Sequence, residues 1–340
     1  MSRPAGGLEA RLVRAWYGEE PPPAMLRLLE PVYRGAVRLR QAAYGAGLWR
    51  AGHPGRPVVV VGNLTVGGTG KTPLVVWLVR ELSALGLAPA VVSRGYGGRP
   101  GRAPRRVRPG DDPAVVGDEP ALIAGATHAP VWVCADRLAA ARAAVAEGAG
   151  VVVSDDGLQH YALGRDFEIV VVDGSRGFGN GRCLPAGPLR EPRDRLATVD
   201  AVVCNGGSRC PPGSIRMVVD GRQAVRLSDG ERRSLESFGS APVHAAAAIG
   251  HPERFFSLLE DRGLTVIRHP LPDHGTMPDD LLRGAAGAPL LMTSKDASKC
   301  RVRPEHAWEV PVDAQLGEDG RGLLRRITAL AGVSRPAAGD

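Results

Sequence analysis

Aromatic residues are scarce in this chain: five Phe, five Trp and five Tyr make up 4% of 340 residues. With so few rings, and no interleaving of rings with basic side chains, a stacking platform for single-stranded nucleic acid is not expected. Cysteine is scarce as well. Cys134, Cys183, Cys204, Cys210 and Cys300 are scattered, odd in number, and form neither Cys-x-x-Cys nor a Cys/His cluster at zinc spacing. That argues against a disulfide scaffold or a structural zinc module and for buried or incidental thiols in a reducing compartment. No run approaches the ~18 apolar residues of a membrane span. Met1 to Ala10 lacks the apolar stretch of a signal peptide. A protein of the cytosol, or of the cytosolic face of a membrane, is expected.

What the chain does have is a basic balance, net +7, and a hydrophobic content of 44%, ordinary for a globular protein with a sizeable core. The basic excess calls for anionic partners such as nucleotides, phosphorylated substrates or an anionic membrane surface. The most informative stretch is Val58–Trp77, VVVVGNLTVGGTGKTPLVVW. Four valines read as a buried strand. A glycine-rich turn follows, and then apolar residues at helical spacing (Leu74, Val75, Leu78, Val79, Leu82), in the order of a phosphate-binding loop. Glycines let the backbone wrap an anion, and N–H groups at a helix start point at phosphates. Thr65, Val66, Gly67, Gly68, Thr69, Gly70, Lys71 and Thr72 are therefore the expected ATP-binding residues. Lys71 would reach the β/γ-phosphates and the Thr72 hydroxyl would hold Mg²⁺. Thr65 stands where the usual pattern has its first glycine.

Short apolar runs recur along the chain, at Ala88–Ser93, Pro130–Cys134, Val151–Val153, Phe167–Asp173, Ala201–Cys204, Met217–Val219, Val243–Ile249, Thr265–His269 and Leu290–Thr293. They alternate with helical patterns, which means an α/β fold: a P-loop NTPase-like, doubly wound, mostly parallel sheet with a second, smaller α/β domain. The expected division is 1–50, an N-terminal amphipathic segment; 51–168, the phosphate-loop core; 169–305, the second domain; and 306–340, a segment returning to the core and frayed after about Gly332. In residues 21–40, Met25, Leu28, Leu29, Val32, Ala36 and Leu39 share one helical face and Arg27, Arg34 and Arg38 lie opposite, with Pro31 expected to kink or weaken the helix. Such a helix either packs on the core or lies on a bilayer. Residues 99–112, rich in Arg, Pro and Gly, read as a loop.

Several polar residues follow strands. Asp155 and Asp156 end an apolar run, as a Mg²⁺-holding acid does. Asp118 and Glu119 precede a helical run and read as a general base, a metal ligand, or acids favoured by the helix dipole. His274 is a loop histidine beside Asp273, exposed or poised as a base. The 174–195 loop carries Arg176, Arg182, Arg190, Arg193 and Arg195 among glycines and prolines. Arginines on such a loop suit bidentate binding of phosphate or carboxylate.

Eight stretches taken in order resemble one family, the tetraacyldisaccharide 4′-kinases. They are VGNLTVGGTGKTP (61–73), SRGYGG (93–98), VGDEP (116–120), SDDGLQH (154–160), GFGNGRCLPAGPLREP (177–192), IGHPERFF (249–256), PDH (272–274) and MTSKDASKC (292–300). The resemblance implies a kinase that uses ATP and Mg²⁺ to phosphorylate the 4′-hydroxyl of a lipid A disaccharide 1-phosphate. It implies a peripheral protein at the cytosolic face of the Gram-negative inner membrane, its N-terminal helix on the anionic surface. A monomer with no nucleic-acid partner is expected beside it. It casts Asp118 and His274 as a catalytic base pair acting with Lys71. Thr72, Asp155, Asp156 and Glu119 become metal-binding candidates, and Arg94, Asn180, Arg182 and Arg190 acceptor-binding candidates. Thr65 is normal for the family. Gly275, His251 and Ser294 depart from its usual residues. A nucleotide-driven switch is disfavoured, because Val66 stands where such proteins carry a second lysine before Gly-Gly, and no Asn-Lys-x-Asp guanine motif is present.

Overall fold

The computed structural model describes residues 8–18, 20–99, 101, 103–284 and 288–332. The first half of the chain runs α1 (Leu8–Tyr17), α2 (Ala24–Gly45), β1 (Val58–Gly62), α3 (Lys71–Ala84), β2 (Pro89–Ser93), β3 (Arg105–Val107), α4 (Pro113–Val116), α5 (Asp118–Thr127), β4 (Val131–Val133), α6 (Arg137–Ala146), β5 (Val151–Asp155) and β6 (Phe167–Asp173). After a long loop come β7 (Ala201–Asn205), β8 (Ile215–Asp220), β9 (Gln223–Arg226), β10 (Arg232–Ser234), β11 (Val243–Ala247), α7 (Pro252–Glu260), β12 (Val266–Pro270), α8 (Asp279–Arg283), β13 (Leu290–Thr293), α9 (Ser294–Ala297), β14 (Ala307–Val310), β15 (Asp313–Gln315) and α10 (Gly317–Ala331). The strands make a nine-stranded, mostly parallel sheet and a six-stranded sheet.

The chain divides into two compact units, each discontinuous in sequence. The first comprises Met1–Lys71, Val153–Met217 and Leu316–Asp340. Its strands run parallel in the order β8-β7-β6-β1, with Val59 opposite Phe167, Ile169 opposite Ala201 and Val203 opposite Ile215. Val58 to Val61 and the whole of β6 are buried, as expected of parallel strands covered on both faces. The second unit comprises Thr72–Val152 and Val218–Gln315. It holds the parallel pair β2-β4, the antiparallel edge strand β3, and the six-stranded sheet in the order β10-β9-β14-β13-β11-β12. In that second sheet, Phe255, Phe256 and Leu259 of α7 pack with Val243, Ala245 and Leu291 in one apolar cluster.

Three details differ from the sequence reading, and a fourth decides between alternatives it left open. Residues 105–107 are a strand, although the region read as loop throughout; Arg105 and Arg106 are exposed and only Val107 is buried, so almost no apolar signal marks it. α2 runs unbroken through Pro31. Cys204 and Cys210 form a disulfide across the turn that ends β7, while Cys134, Cys183 and Cys300 are free and buried. The fourth concerns the orientation of α2. Its inner side is polar: buried Glu30 accepts hydrogen bonds from the Cys183 N–H (3.0 Å) and the Arg182 guanidinium (2.8 Å), and the Tyr33 hydroxyl donates to Arg190 O (2.9 Å). Met25, Leu28, Leu29, Val32 and Leu39 point outward, 47–76% exposed, followed by exposed Leu48 and Trp49. No helix among the described residues is long and apolar enough to cross a membrane. The expected fraying after Gly332 concerns residues outside those described.

Candidate active site

Each unit holds a polar constellation built on sequence-predicted residues. In the first, β1 ends at Gly62 and α3 begins at Lys71, so residues 63–70 form the turn between a buried strand and a helix N-terminus. Asn63, wholly buried, organises that turn: its amide nitrogen donates to Thr65 O (2.8 Å) and Gly67 O (3.3 Å), and its amide oxygen accepts from Lys71 Nζ (3.1 Å). Asn205, at the end of β7, donates to Thr69 O (3.1 Å). Gly70 lies against it at φ +94°, where a Cβ would stand 2.2 Å from Asn205 Nδ2. The left-handed backbone and the close approach both require glycine.

At the end of β5, Asp155 is fully buried and Asp156 half-buried. Asp156 has φ +49°, one of three non-glycine residues with positive φ among those described. A non-glycine in that region costs of order 1–3 kcal/mol and persists where the surroundings dictate it. Asp156 Oδ1 is 3.4 Å from Lys71 Nζ, and both its oxygens are 3.2 Å from the Arg190 guanidinium. Thr72 follows Lys71 directly. The carboxylates of Asp155 and Asp156 offer oxygens, the donors a hard cation takes. Among the described residues no group of three or more His, Cys, Asp or Glu could hold a metal by itself. A magnesium ion here therefore needs phosphate oxygens to complete its shell, which suits Mg²⁺.

The 174–195 loop wraps this turn. The Val66 N–H donates to Pro188 O (2.8 Å) and the Arg190 N–H to Leu64 O (2.6 Å). Most of its arginines brace the loop. Arg182 pairs with Glu30, Arg176 covers the Tyr17 ring, Arg193 covers Phe178, and Arg195 binds both oxygens of Glu168. Asn180 donates to Ala15 O (3.0 Å) and Ala186 O (2.9 Å) and accepts from the Arg182 N–H (3.0 Å), so its amide anchors the loop to the chain around α1.

In the second unit, Asp118 opens α5 behind Gly117, whose φ is +94° and whose Cβ would meet Tyr96 O at 2.7 Å. That close approach places the SRGYGG turn, which ends β2, beside the first residue of α5. His274 sits in the loop after β12 with φ +60°. Its Nδ1 is 3.1 Å from Asp118 Oδ2, and its ring lies edge-on to Tyr96 at 5.2 Å between centroids. Lys299 Nζ is also 3.1 Å from Asp118 Oδ2. Lys295 Nζ lies 3.5 Å from His274 Nε2, 3.5 Å from Asp273 and 4.0 Å from Glu119. Burial alone would raise the Asp118 pKa, but the His274 hydrogen bond and the Lys299 charge outweigh it, and the carboxyl is held below its ordinary range. An ionised Asp118 can only accept, so in this contact His274 Nδ1 is the donor. Arg94 is exposed at the end of β2. Asn63, Asn205, Lys295 and Lys299 were given no role by the sequence reading. Asn63 and both lysines lay within quoted motifs, and no local signal marked Asn205.

A model of the tetraacyldisaccharide-1-P 4′-kinase family matches residues 23–331. This chain belongs to that family. The tetraacyldisaccharide 4′-kinase of Nitrosococcus oceani is 48% identical over 307 residues, covering 90% of each chain. That of Alkalilimnicola ehrlichii is 51% identical over 291 residues, covering 85% of this chain and 88% of its own. The crystal structure of LpxK from Aquifex aeolicus in complex with ATP superposes with a TM-score of 0.73 at 26% identity, covering 90% of this chain and 98% of that one. In this 4′-kinase family member the Asn63–Lys71 turn and the Asp118–His274 pair stand as donor-side and acceptor-side candidates.

Proposed function

We propose that the protein transfers the γ-phosphate of ATP to the 4′-hydroxyl of a tetraacyldisaccharide 1-phosphate, and that Asp118 and His274 are the base pair that takes the hydroxyl proton. The observation that carries the second part is the 3.1 Å contact between His274 Nδ1 and Asp118 Oδ2, made by residues 156 apart in the chain. The acceptor oxygen bonds to the γ-phosphorus, the bond to the β–γ bridging oxygen breaks, ADP leaves, and the proton passes to the Asp118–His274 pair. The N–H groups of the glycine turn and the ammonium of Lys71 would stabilise the transferring phosphoryl, so most of the acceleration comes from position and charge. Mg²⁺, when bound by the phosphates with Asp155, Asp156 and Thr72, supplies neutralising charge.

The outward apolar side of α2 supports seating the protein on a bilayer, its apolar side chains in the acyl boundary, at the cytosolic face where the substrate is phosphorylated. An exposed apolar patch of this kind is unusual on a soluble protein and marks an interaction surface.

Asp118→Asn tests the base assignment. It keeps the shape and loses the charge, so kcat is expected to fall by roughly 10²–10⁴-fold with ATP affinity unchanged. Loss of ATP binding with turnover preserved at saturating ATP would instead make Asp118 a nucleotide ligand.

A further inference from the structure

We propose that Lys299 is a positioning residue that locks the Asp118–His274 pair into register; the proposal rests on the base reading of that pair. Lys299 is the second-last residue of the MTSKDASKC motif, whose chemistry the proposed reaction leaves unused. Its ammonium is nearly enclosed, with the side chain 11% exposed. It reaches three acceptors: Asp118 Oδ2 at 3.1 Å, the carbonyl of Gly275 at 3.2 Å, and Asp296 Oδ1 at 3.8 Å. The first two are within hydrogen-bond distance of the ammonium, and Asp296 is a longer ion pair. One acceptor belongs to the base pair's acid and one to the residue that follows its histidine, so a single side chain ties the start of α5 to the His274 loop.

That tie answers a need of the loop. His274 holds a left-handed backbone, which a non-glycine residue keeps only when its surroundings over-determine it. Around it the His274 N–H reaches Ala248 O at 3.3 Å and Asp273 Oδ1 at 3.0 Å, the Gly275 N–H reaches Pro272 O at 2.8 Å, and Lys295 Nζ lies 3.5 Å from both Asp273 and His274 Nε2. The bond from Lys299 to Gly275 O adds a restraint on the backbone of the residue after the histidine, from the same side chain that meets Asp118. The base of the brace is itself fixed. Asp296 is 2% exposed and accepts from the Ala248 N–H (3.1 Å) and the Thr293 hydroxyl (2.6 Å), and the Lys299 N–H donates to Asp296 O (3.1 Å). Ala297 and Cys300 on either side are buried in an apolar cluster. Both contacts to Asp118 fall on the same oxygen, Oδ2, so Lys299 also fixes which carboxylate oxygen meets the imidazole.

Full-length Lys299→Met, Lys299→Arg, Asp118→Asn and the Lys299→Met/Asp118→Asn double variant separate this role from simple neutralisation of buried Asp296. Steady-state transfer from ATP to a disaccharide 1-phosphate lipid is measured, with thermal melting alongside. Lys299→Met is expected to lower kcat roughly 10- to 100-fold, the scale of a misplaced catalytic group, with the KM for ATP within about twofold. Lys299→Arg, which keeps charge and donors, should recover most of kcat. The double variant should be no slower than Asp118→Asn alone, because the brace acts through Asp118 and the histidine paired with it, which work as one unit. A folded Lys299→Met enzyme with parental kcat overturns the proposal, and so does a double variant that loses both factors in full. If Lys299→Met does not fold, Lys299→Gln, which keeps length and a donor, takes its place in the same cycle. Asp118→Asn with parental kcat would sink the base reading itself, an outcome distinct from failure of the brace.

Discussion

Replacing Gly70 with Ala puts the glycine turn under a load that can be worked from its geometry. The added Cβ would stand 2.2 Å from Asn205 Nδ2, 3.2 Å from Asn205 Cγ and 3.4 Å from Met217 Cε. Asn205 is buried, so its amide must rotate away and give up the bond to Thr69 O. Leaving a buried carbonyl unpaired costs about 1–3 kcal/mol. Holding alanine at φ +94° adds about 1–2 kcal/mol. The sum, roughly 2–5 kcal/mol, is divided between the stability of the first unit and nucleotide binding, and each 1.4 kcal/mol that falls on binding raises the ATP Kd about tenfold. Denaturant unfolding and ATP titration of Gly70→Ala measure the two parts. Asn205→Ala in the same background removes the atoms that clash, so the double variant should be less damaged than the sum of the singles by about 1–2 kcal/mol. Unchanged stability and ATP affinity in Gly70→Ala, or strict additivity in the cycle, would refute the reasoning.

Leu28, Val32 and Leu39 are 71–76% exposed, so changing all three to Gln should leave folding stability within about 0.5 kcal/mol per site. At about 1 kcal/mol per side chain in the acyl boundary, the same change should weaken binding to anionic vesicles about a hundredfold, and unchanged sedimentation with vesicles would count against the membrane seat of α2. The Cys204–Cys210 bond predicts three labelled thiols in the unreduced, denatured protein; labelling of all five would remove it. Its short loop, spanning a sequence separation of 6, is worth about 2 kcal/mol by chain entropy, so reduction should lower stability by about that much.

The glycine turn was legible because its chemistry lies in consecutive residues: strand, turn, lysine and hydroxyl occur within Val58–Thr72, and local rules suffice to order them. The Asp118–His274 pair was not. Its members lie 156 residues apart and each alone reads as an ordinary helix-start acid and an ordinary loop histidine. Only the family resemblance joined them ahead of the fold. The α2 pattern showed that the helix has two faces and could not show which one turns inward. Periodicity is silent on that, and the answer came from Glu30, Tyr33 and Arg182, polar residues whose partners are distant in sequence. The arginines of the 174–195 loop read as ligands for an anion, yet most of them are spent on carboxylates and rings of the protein itself. Strands such as β10, with all three residues exposed, carry no apolar alternation to read. The disulfide was missed because a spacing of six is no motif and the pairing depends on the turn that ends β7.

The central claim is that this chain phosphorylates a lipid hydroxyl with ATP through the Asp118–His274 pair. Transfer of a labelled γ-phosphate to a purified tetraacyldisaccharide 1-phosphate in mixed micelles, with parent and Asp118→Asn proteins of equal ATP affinity, tests it most directly. The account predicts labelled 4′-phosphorylated lipid from the parent and roughly 10²–10⁴-fold less from the variant. No labelled lipid from an intact, ATP-binding parent, or equal labelling by the two proteins, would contradict it.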